Sequence, residues 1–325
     1  MAMIRSKVLS RLILLLALCL LLSSLSPNFA RWDNFVNVVR QAAILNILGV
    51  GMTLVILTGG IDLSNGAVLA LSSCVSAIYL KSGGPFGIGI LIALAIGLTC
   101  GLINGLMVAR VFIPSFVITY AMMFFARGLA YIVLKGQIVY GFSKGFRFFG
   151  AGHLFGVPTP ILLSAALFFV FYFLLRYTPF GADLYALGSD EESSRLSGVK
   201  TQSRITLVYA LSGLLSAIAG IVYTSRLNAA EPVIGEFFPL DAIAAVVIGG
   251  TPLEGGEGGV VGTMIGALII TVIINGMNLL SVPSLLQSFI LGSVILVMIA
   301  AQYYSGKLRG LPSSLKPLSM KGGET

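Results

Sequence analysis

Charge is what this chain of 325 residues has least of: Asp, Glu, Lys and Arg make up 10% of it, against 57% apolar residues and a mean hydropathy of +1.00. A water-soluble domain of this size covers its surface with far more charge, so a soluble globular fold is excluded. Cysteine is also scarce. Cys19, Cys74 and Cys100 all lie in apolar runs without CxxC or other metal spacing, and read as small buried apolar residues. The single histidine, His153, falls in an extramembrane loop with no second ligand, which argues against a catalytic metal. No Gly-x-x-x-x-Gly-Lys-Ser/Thr phosphate loop occurs, since Gly306-Lys307 lacks the upstream glycine and runs into Leu308. The chain is therefore not expected to hydrolyse ATP or to hold any cofactor itself. Intramembrane acids are missing too: Asp62 is nearly alone, which leaves little of the relay a proton-driven pump needs. No nucleophile with a base or metal cluster stands where an enzyme acting on lipids would need one.

What the sequence does have is apolar runs of spanning length. A hydrocarbon core of about 30 Å takes roughly 20 helical residues, and ten segments can be drawn, at 8–26, 41–58, 62–80, 87–109, 112–134, 160–178, 205–224, 240–250, 258–280 and 283–304. The expectation is an all-α, polytopic transmembrane bundle of about ten helices, forming a single transmembrane domain over 1–325. The segment 240–250 is too short to span alone, and a re-entrant path there requires protein around its backbone. The basic start and the run from Leu12 to Leu22 resemble a signal peptide. No clean small-x-small site follows in Ser-Ser-Leu-Ser-Pro-Asn-Phe-Ala, so an uncleaved first helix is expected.

The net charge of +8 does not point to nucleic acid. Eleven of the twenty Lys and Arg fall in three places: Arg5, Lys7 and Arg11; Arg176, Arg195, Lys200 and Arg204; Lys307, Arg309, Lys316 and Lys321. By the positive-inside rule these are cytoplasmic, which puts both termini, a 179–204 loop and a 305–325 tail inside and agrees with an even count of spans. Small residues at spacing four, such as Gly97 with Gly101 and Gly262 with Gly266, predict close helix packing in lipid. A faint internal repeat links Leu57-Thr58-Gly59-Gly60 to Val247-Ile248-Gly249-Gly250 and Ile103-Asn104-Gly105 to Ile274-Asn275-Gly276. The spacings differ, so either a helix has been gained or lost or the likeness is chance.

Three features carry functional weight. Thr58-Gly59-Gly60-Ile61-Asp62-Leu63-Ser64-Asn65-Gly66 breaks an apolar run with glycines, an acid and hydroxyls; Asp62 and Ser64 are expected to cap the following helix, to face a translocation path, or both. In Gly188 to Val199, Ser189 with Glu192 reads as a capping box, Asp190 and Glu191 suit the positive end of a helix dipole, and Gly198 is a stop. A short helix follows, with Ser193, Arg195 and Leu196 on it, suited to dock a cytoplasmic partner. Asn46, Asn104, Arg127, Asn275 and Asn278 lie inside apolar segments, where bonding between helices competes with lining the path. Arg127, flanked by Phe124, Phe125 and Leu129, is expected to face the bundle interior or snorkel to an interface.

Gly51-Met52-Thr53-Leu54-Val55-Ile56-Leu57-Thr58-Gly59-Gly60-Ile61-Asp62-Leu63-Ser64 resembles the signature stretch of the ribose-type sugar permeases of bacterial ATP-binding cassette importers. Gly188 to Val199 resembles their cytoplasmic coupling segment. Ile113 to Thr119, Ala126-Arg127-Gly128 and Val247 to Thr251 with the glycines of 255–262 extend the likeness from about 35 to 304. The resemblance implies the importer permease fold in the bacterial inner membrane, a second permease chain of the same or different sequence, and a periplasmic sugar-binding protein. It also implies cytoplasmic ATP-binding subunits that use ATP and Mg. The coupling role carries over to Ser189, Asp190, Glu191, Glu192, Ser193, Arg195, Leu196 and Gly198; Asp62, Ser64, Asn104, Arg127 and Asn275 are the candidates for the path. Asn65-Gly66-Ala67 departs from the Val and Gly-Ser that family members often carry there. A branched-chain amino acid substrate, or an ion-coupled carrier working without an ATPase, stands as the alternative.

Overall fold

The computed structural model describes residues 2–310; Lys316 and Lys321 of the basic tail lie outside the described residues. Thirteen helices follow one another among them: α1 (Ala2–Leu25), α2 (Trp32–Leu57), α3 (Asn65–Lys81), α4 (Phe86–Val111), α5 (Ser115–Leu134), α6 (Lys144–Ala151), α7 (Thr159–Tyr177), α8 (Pro179–Ser189), α9 (Glu191–Leu196), α10 (Thr201–Leu227), α11 (Phe238–Ile248), α12 (Val260–Leu279) and α13 (Ser284–Gly310). Each of the ten apolar segments holds one helix. Seven are long and apolar enough to cross a membrane, while α3, α11 and the apolar part of α13 are shorter. The bundle over Met1–Leu280 is one unit. Helix α13 belongs to a second, entered through Pro283, whose carbonyl accepts from the backbone N–H groups of Leu286 and Gln287.

Burial separates centre from rim. Protein covers 83% of the most apolar window of α2 and 72% of those of α10 and α12, but only 28% in α4, α5 and α7. The first three are thus the core, and the others turn side chains such as Phe124, Phe125, Phe169 and Phe173 outward, where hydrocarbon is as good a neighbour as protein. Helix α1 lies on α12: Leu22, Phe29, Val38 and Val272 form one cluster, and Leu22 fills the space over Gly276.

Lipid supplies no hydrophobic force to bring helices together, so the core depends on close approach. Along α4, Gly97, Gly101 and Gly105 form a ridge one helical turn apart, seated on the backbone of α10. A Cβ on Gly97 would lie 2.3 Å from the Gly213 carbonyl oxygen, one on Gly101 2.3 Å from that of Tyr209, and one on Gly105 2.7 Å from that of Thr206. No side chain fits at these points.

The two ends of the bundle differ. At one end, strands β1 (Val139–Tyr140) and β4 (Ala229–Ala230) pair antiparallel, and β2 (His153–Leu154) and β3 (Val157–Pro158) form a hairpin around Phe155-Gly156, both at positive φ. Helix α6 is fixed to α10 there: the Ser225 hydroxyl donates to Phe146 O and accepts from Gly150 N. This hairpin end lies one helix length, α7, from the end that carries α8 and α9.

Two crossings are interrupted. Helix α2 stops at Thr58, residues 58–64 run without helix, and α3 returns to the hairpin end. The chain leaves β4, passes inward through 231–237 until Gly235 meets Gly66 at the start of α3, and finishes as α11. The 240–250 segment thus crosses from end to end, its missing length made up by 231–237. Gly59 and Gly250 end α2 and α11 with the same left-handed turn, at φ +75° and +84°, and the Arg11 guanidinium lies against Gly250, at the negative end of the α11 dipole.

The ridge yields a direct test. Gly101→Leu is expected to cost at least the roughly 1–3 kcal/mol of an overpacked core and to lower the melting temperature in detergent. Gly128→Ala, where a Cβ would meet nothing within 4 Å, is expected to leave it unchanged or raise it. Equal melting of the two variants would contradict the packing described.

Candidate functional site

The first interruption is closed by its own acid. Asp62 Oδ1 accepts from the backbone N–H of Ser64 (2.9 Å) and from its hydroxyl (2.6 Å), and Oδ2 accepts from the Ser212 hydroxyl of α10 (2.7 Å). Asn104 Nδ2 of α4 donates to Ser64 Oγ (2.9 Å). The expectation that Asp62 and Ser64 cap α3 is corrected: neither side chain bonds a first-turn N–H of α3. Their lone pairs are committed within the loop and across to α4 and α10. On the far side, Ile61 N donates to Ser115 Oγ and the Thr119 hydroxyl donates to Ile61 O, which ties α5 in. Asp62, Ser64 and Asn104 are all within 1% of complete burial.

Arg127 holds the second interruption. Its Nη1 donates to the carbonyls of Pro232 and Ile234 (2.7 Å to the latter), with Glu236 close by. A guanidinium is thus matched to carbonyls that have no helical partner, the arrangement an apolar surround demands. Asn275 exchanges amide hydrogen bonds with Asn34 (2.9 and 3.1 Å), and Asn46 donates to Ser164 Oγ (2.8 Å), each joining two helices. Asn65 and Asp241 stand out by contrast. They begin α3 and α11, which meet at Gly66 and Gly235, and both are more than nine-tenths buried. Neither end of the Asn65 amide is hydrogen-bonded, and the Asp241 carboxyl has no hydrogen bond or ion pair among the described residues.

The 179–204 segment forms α8 and α9, set at an angle by an extended residue, Asp190 (φ −163°, ψ 108°). Asp190, not Ser189, caps α9: its Oδ1 accepts from Ser193 N (2.9 Å), a bond that holds this carboxyl below the usual carboxylate range. The capping box is corrected accordingly. Helix α8 runs through Ser189, whose hydroxyl turns back to Tyr185 O (2.9 Å), and Glu192 is taken by Arg195 in a two-bond pair (3.0 and 2.6 Å), which lowers the pKa of Glu192. Gly198, at φ +89°, ends the helix as expected. Glu191, Glu192, Arg195 and Leu196 are exposed, and a groove separates α9 from Phe112 in the α4–α5 turn and from Lys200 and Gln202.

The root of this segment is a backbone junction. A Cβ on Gly188 would lie 1.9 Å from Leu57 O at the end of α2 and 2.4 Å from Gly256 N, and Gly256 N itself donates to Leu57 O (3.1 Å). Tyr185 donates to Gly258 O (3.0 Å), and Arg204 binds Asp183 through Nε and Nη2 (2.8 and 2.7 Å), fixing α8 to α10. The ends of α2 and α8 and the loop before α12 are therefore in direct main-chain contact.

With this geometry in view, residues 34–299 match the family described as branched-chain amino acid transport system permease component. The chain is 44% identical to the ribose import permease protein of Bacillus subtilis over 88% of its length and 89% of that protein's. It is 42% identical to the ribose import permease protein of Escherichia coli K12 (89% and 91%) and 36% to that organism's D-allose transport system permease protein (85% and 86%). No solved structure matches.

Arg127 gives the test of the second interruption. Arg127→Gln removes charge-assisted bonds, and backbone amides of 231–237 are expected to exchange hydrogen about tenfold faster or more, with those of α12 unaffected. Unaltered exchange in 231–237 would show that something else holds it.

Proposed function

The chain belongs to the branched-chain amino acid transport system permease family, and from that premise we propose that it is the membrane-spanning permease subunit of an ATP-binding cassette importer for a ribose-type sugar. The substrate class follows the relatives named for ribose and allose, which align over most of both chains. An amino acid substrate or an ion-coupled carrier has no comparable support.

One observation carries the mechanism. A short helix, α9, is capped by Asp190, keeps its charged face exposed, and follows directly on α8, whose Gly188 is in backbone contact with the end of α2. We take Ser189, Asp190, Glu191, Glu192, Ser193, Arg195, Leu196 and Gly198 as the coupling segment, docked into cytoplasmic ATP-binding subunits. ATP with its Mg is bound and hydrolysed there, not in this chain. Closure of those subunits presses on α9, and the Gly188–Leu57–Gly256 junction passes the movement to α2 and α12. A periplasmic binding protein delivers the sugar at the hairpin end, and a second permease chain completes the path. Asp62, Ser64, Asn104, Arg127 and Asn275 act as positioning residues that hold the walls of that path. Asn65 and Asp241, whose side chains have no hydrogen-bond partner among the described residues, are the interior groups free to meet sugar hydroxyls. The protein sits in the bacterial inner membrane with both termini in the cytoplasm.

Two measurements test this. Glu191→Lys with Glu192→Lys, which spares the Asp190 cap of α9, is expected to bring sugar uptake to background while the protein stays in the membrane and its melting temperature is unchanged; normal coupled uptake would remove the coupling assignment. For sidedness, Phe155→Cys, 94% exposed on the hairpin, is expected to react with an impermeant maleimide in spheroplasts, and Leu196→Cys only in opened membranes. The reverse pattern would invert the orientation.

A further inference from the structure

Near the hairpin end two guanidiniums share one face of α2 and no carboxylate answers them. Arg226, in the last turn of α10, reaches Asn37 Oδ1 at 3.4 Å, and Arg40, one turn further along α2, is close enough to repel it. Nε of Arg40 is buried without a hydrogen-bond partner. Neither arginine forms an ion pair among the described residues. The negative end of the α10 dipole offsets part of the charge on Arg226. Arg40, eight residues into α2, has no such offset.

Arg40 lines a groove together with Trp32, Asn37, His153 and Ile161. Its rim is aromatic: Trp32 and Phe35 stack at 5.4 Å between ring centres, and both are more than half exposed. Exposed Trp at the end of a spanning helix sits at headgroup level. Side chains on a helix lean toward its N-terminus, so Arg40 reaches back toward this rim from about 12 Å along α2. Asp33 lines the outer edge of the groove and pairs with neither arginine. Val36 and Val39 supply an apolar wall beside the cationic floor.

We propose that this groove binds an anionic phospholipid, its phosphate held by Arg40 with Arg226 close beside it, and Val36 and Val39 forming the apolar wall of the site. Phosphate matches the guanidinium fork and would satisfy the unpartnered Nε. A lipid is favoured over an acidic side chain of a soluble partner because Arg40 reaches back toward an aromatic rim at headgroup level, within reach of a lipid phosphate, whereas a docking protein would have to insert past that rim. The site is independent of which solute the chain carries.

The test uses the full-length protein in detergent, exposed to phosphatidylglycerol or phosphatidylcholine with the same acyl chains. Native mass spectrometry of the wild type in an equimolar mixture is expected to show retention of phosphatidylglycerol on the order of tenfold over phosphatidylcholine. Phosphatidylglycerol is expected to raise the melting temperature more than phosphatidylcholine, and the difference to vanish in Arg40→Gln with Arg226→Gln. Arg40→Lys, which keeps charge but loses the fork, should retain part of it. Equal retention of the two lipids by the wild type overturns the proposal whether or not the double variant folds. So does an unchanged lipid preference in the double variant, or an equal rise with inorganic phosphate alone. Loss of affinity for the binding protein with lipid preference intact would assign the arginines to a protein partner instead.

Discussion

The constraint on which this structure turns is that backbone polar groups inside a membrane must find partners in the protein, because the surroundings offer none. Eight of the ten apolar segments meet it by staying helical; the other two are interrupted and need outside help. At 58–64 the help is a carboxylate that accepts from its own loop and from α10; at 231–237 it is a guanidinium that donates to freed carbonyls. The two solutions are complementary: Asp62 accepts from a backbone N–H of its loop, and Arg127 donates to backbone carbonyls of the other. Both lean on α10 or α5, so the packing of those helices is a condition for the interruptions and not an embellishment of them.

Close packing then decides which parts move together. The glycine ridge of α4 locks it to α10, the Arg204–Asp183 pair locks α10 to α8, and the Gly188 contact locks α8 to the end of α2. Force applied at α9 enters a body containing α2, α4, α8 and α10 before it reaches the stretches that are only hydrogen-bonded. Arg127 holds 231–237 from α5 with a few polar bonds, a weaker hold than interlocked backbone. Interlocked and loosely held elements are thus segregated, with backbone-packed struts at the α8–α9 end and a stretch held by a few polar bonds beside the buried starts of α3 and α11.

Much of this was legible in the residues, and the failures have physical reasons. Every apolar segment holds a helix because spanning length is a gross property of composition. The start of α2 at Trp32 and not near 41 was hidden because Asp33, Asn34, Asn37 and Arg40 read as loop. In the structure Asn34 and Asn37 bond to distant partners, Asn275 and Arg226. Arg127 was visible as a lone charge in an apolar helix, and its partners were not, because carbonyls of a loop 105 residues away leave no mark. Ser212 was invisible for the same reason, being one hydroxyl in a long apolar run. Ser189 and Asp190 can both cap a helix; the choice fell to Asp190 because Ser189 is the last residue of α8, a helix not expected from the sequence. The strands β1 and β4 are two residues each, set by tertiary contact alone.

The Gly188–Leu57–Gly256 junction has a consequence for how such proteins change over time. Its contacts are made by main chain, so they place no demand on the identity of neighbouring side chains, only on the absence of a Cβ at one or two positions. On the coupling role proposed for α9, its exposed face is free to change to suit a different ATP-binding partner without retuning the joint behind it. Partner choice and force transmission would then be separable, the first set by side chains and the second by main chain.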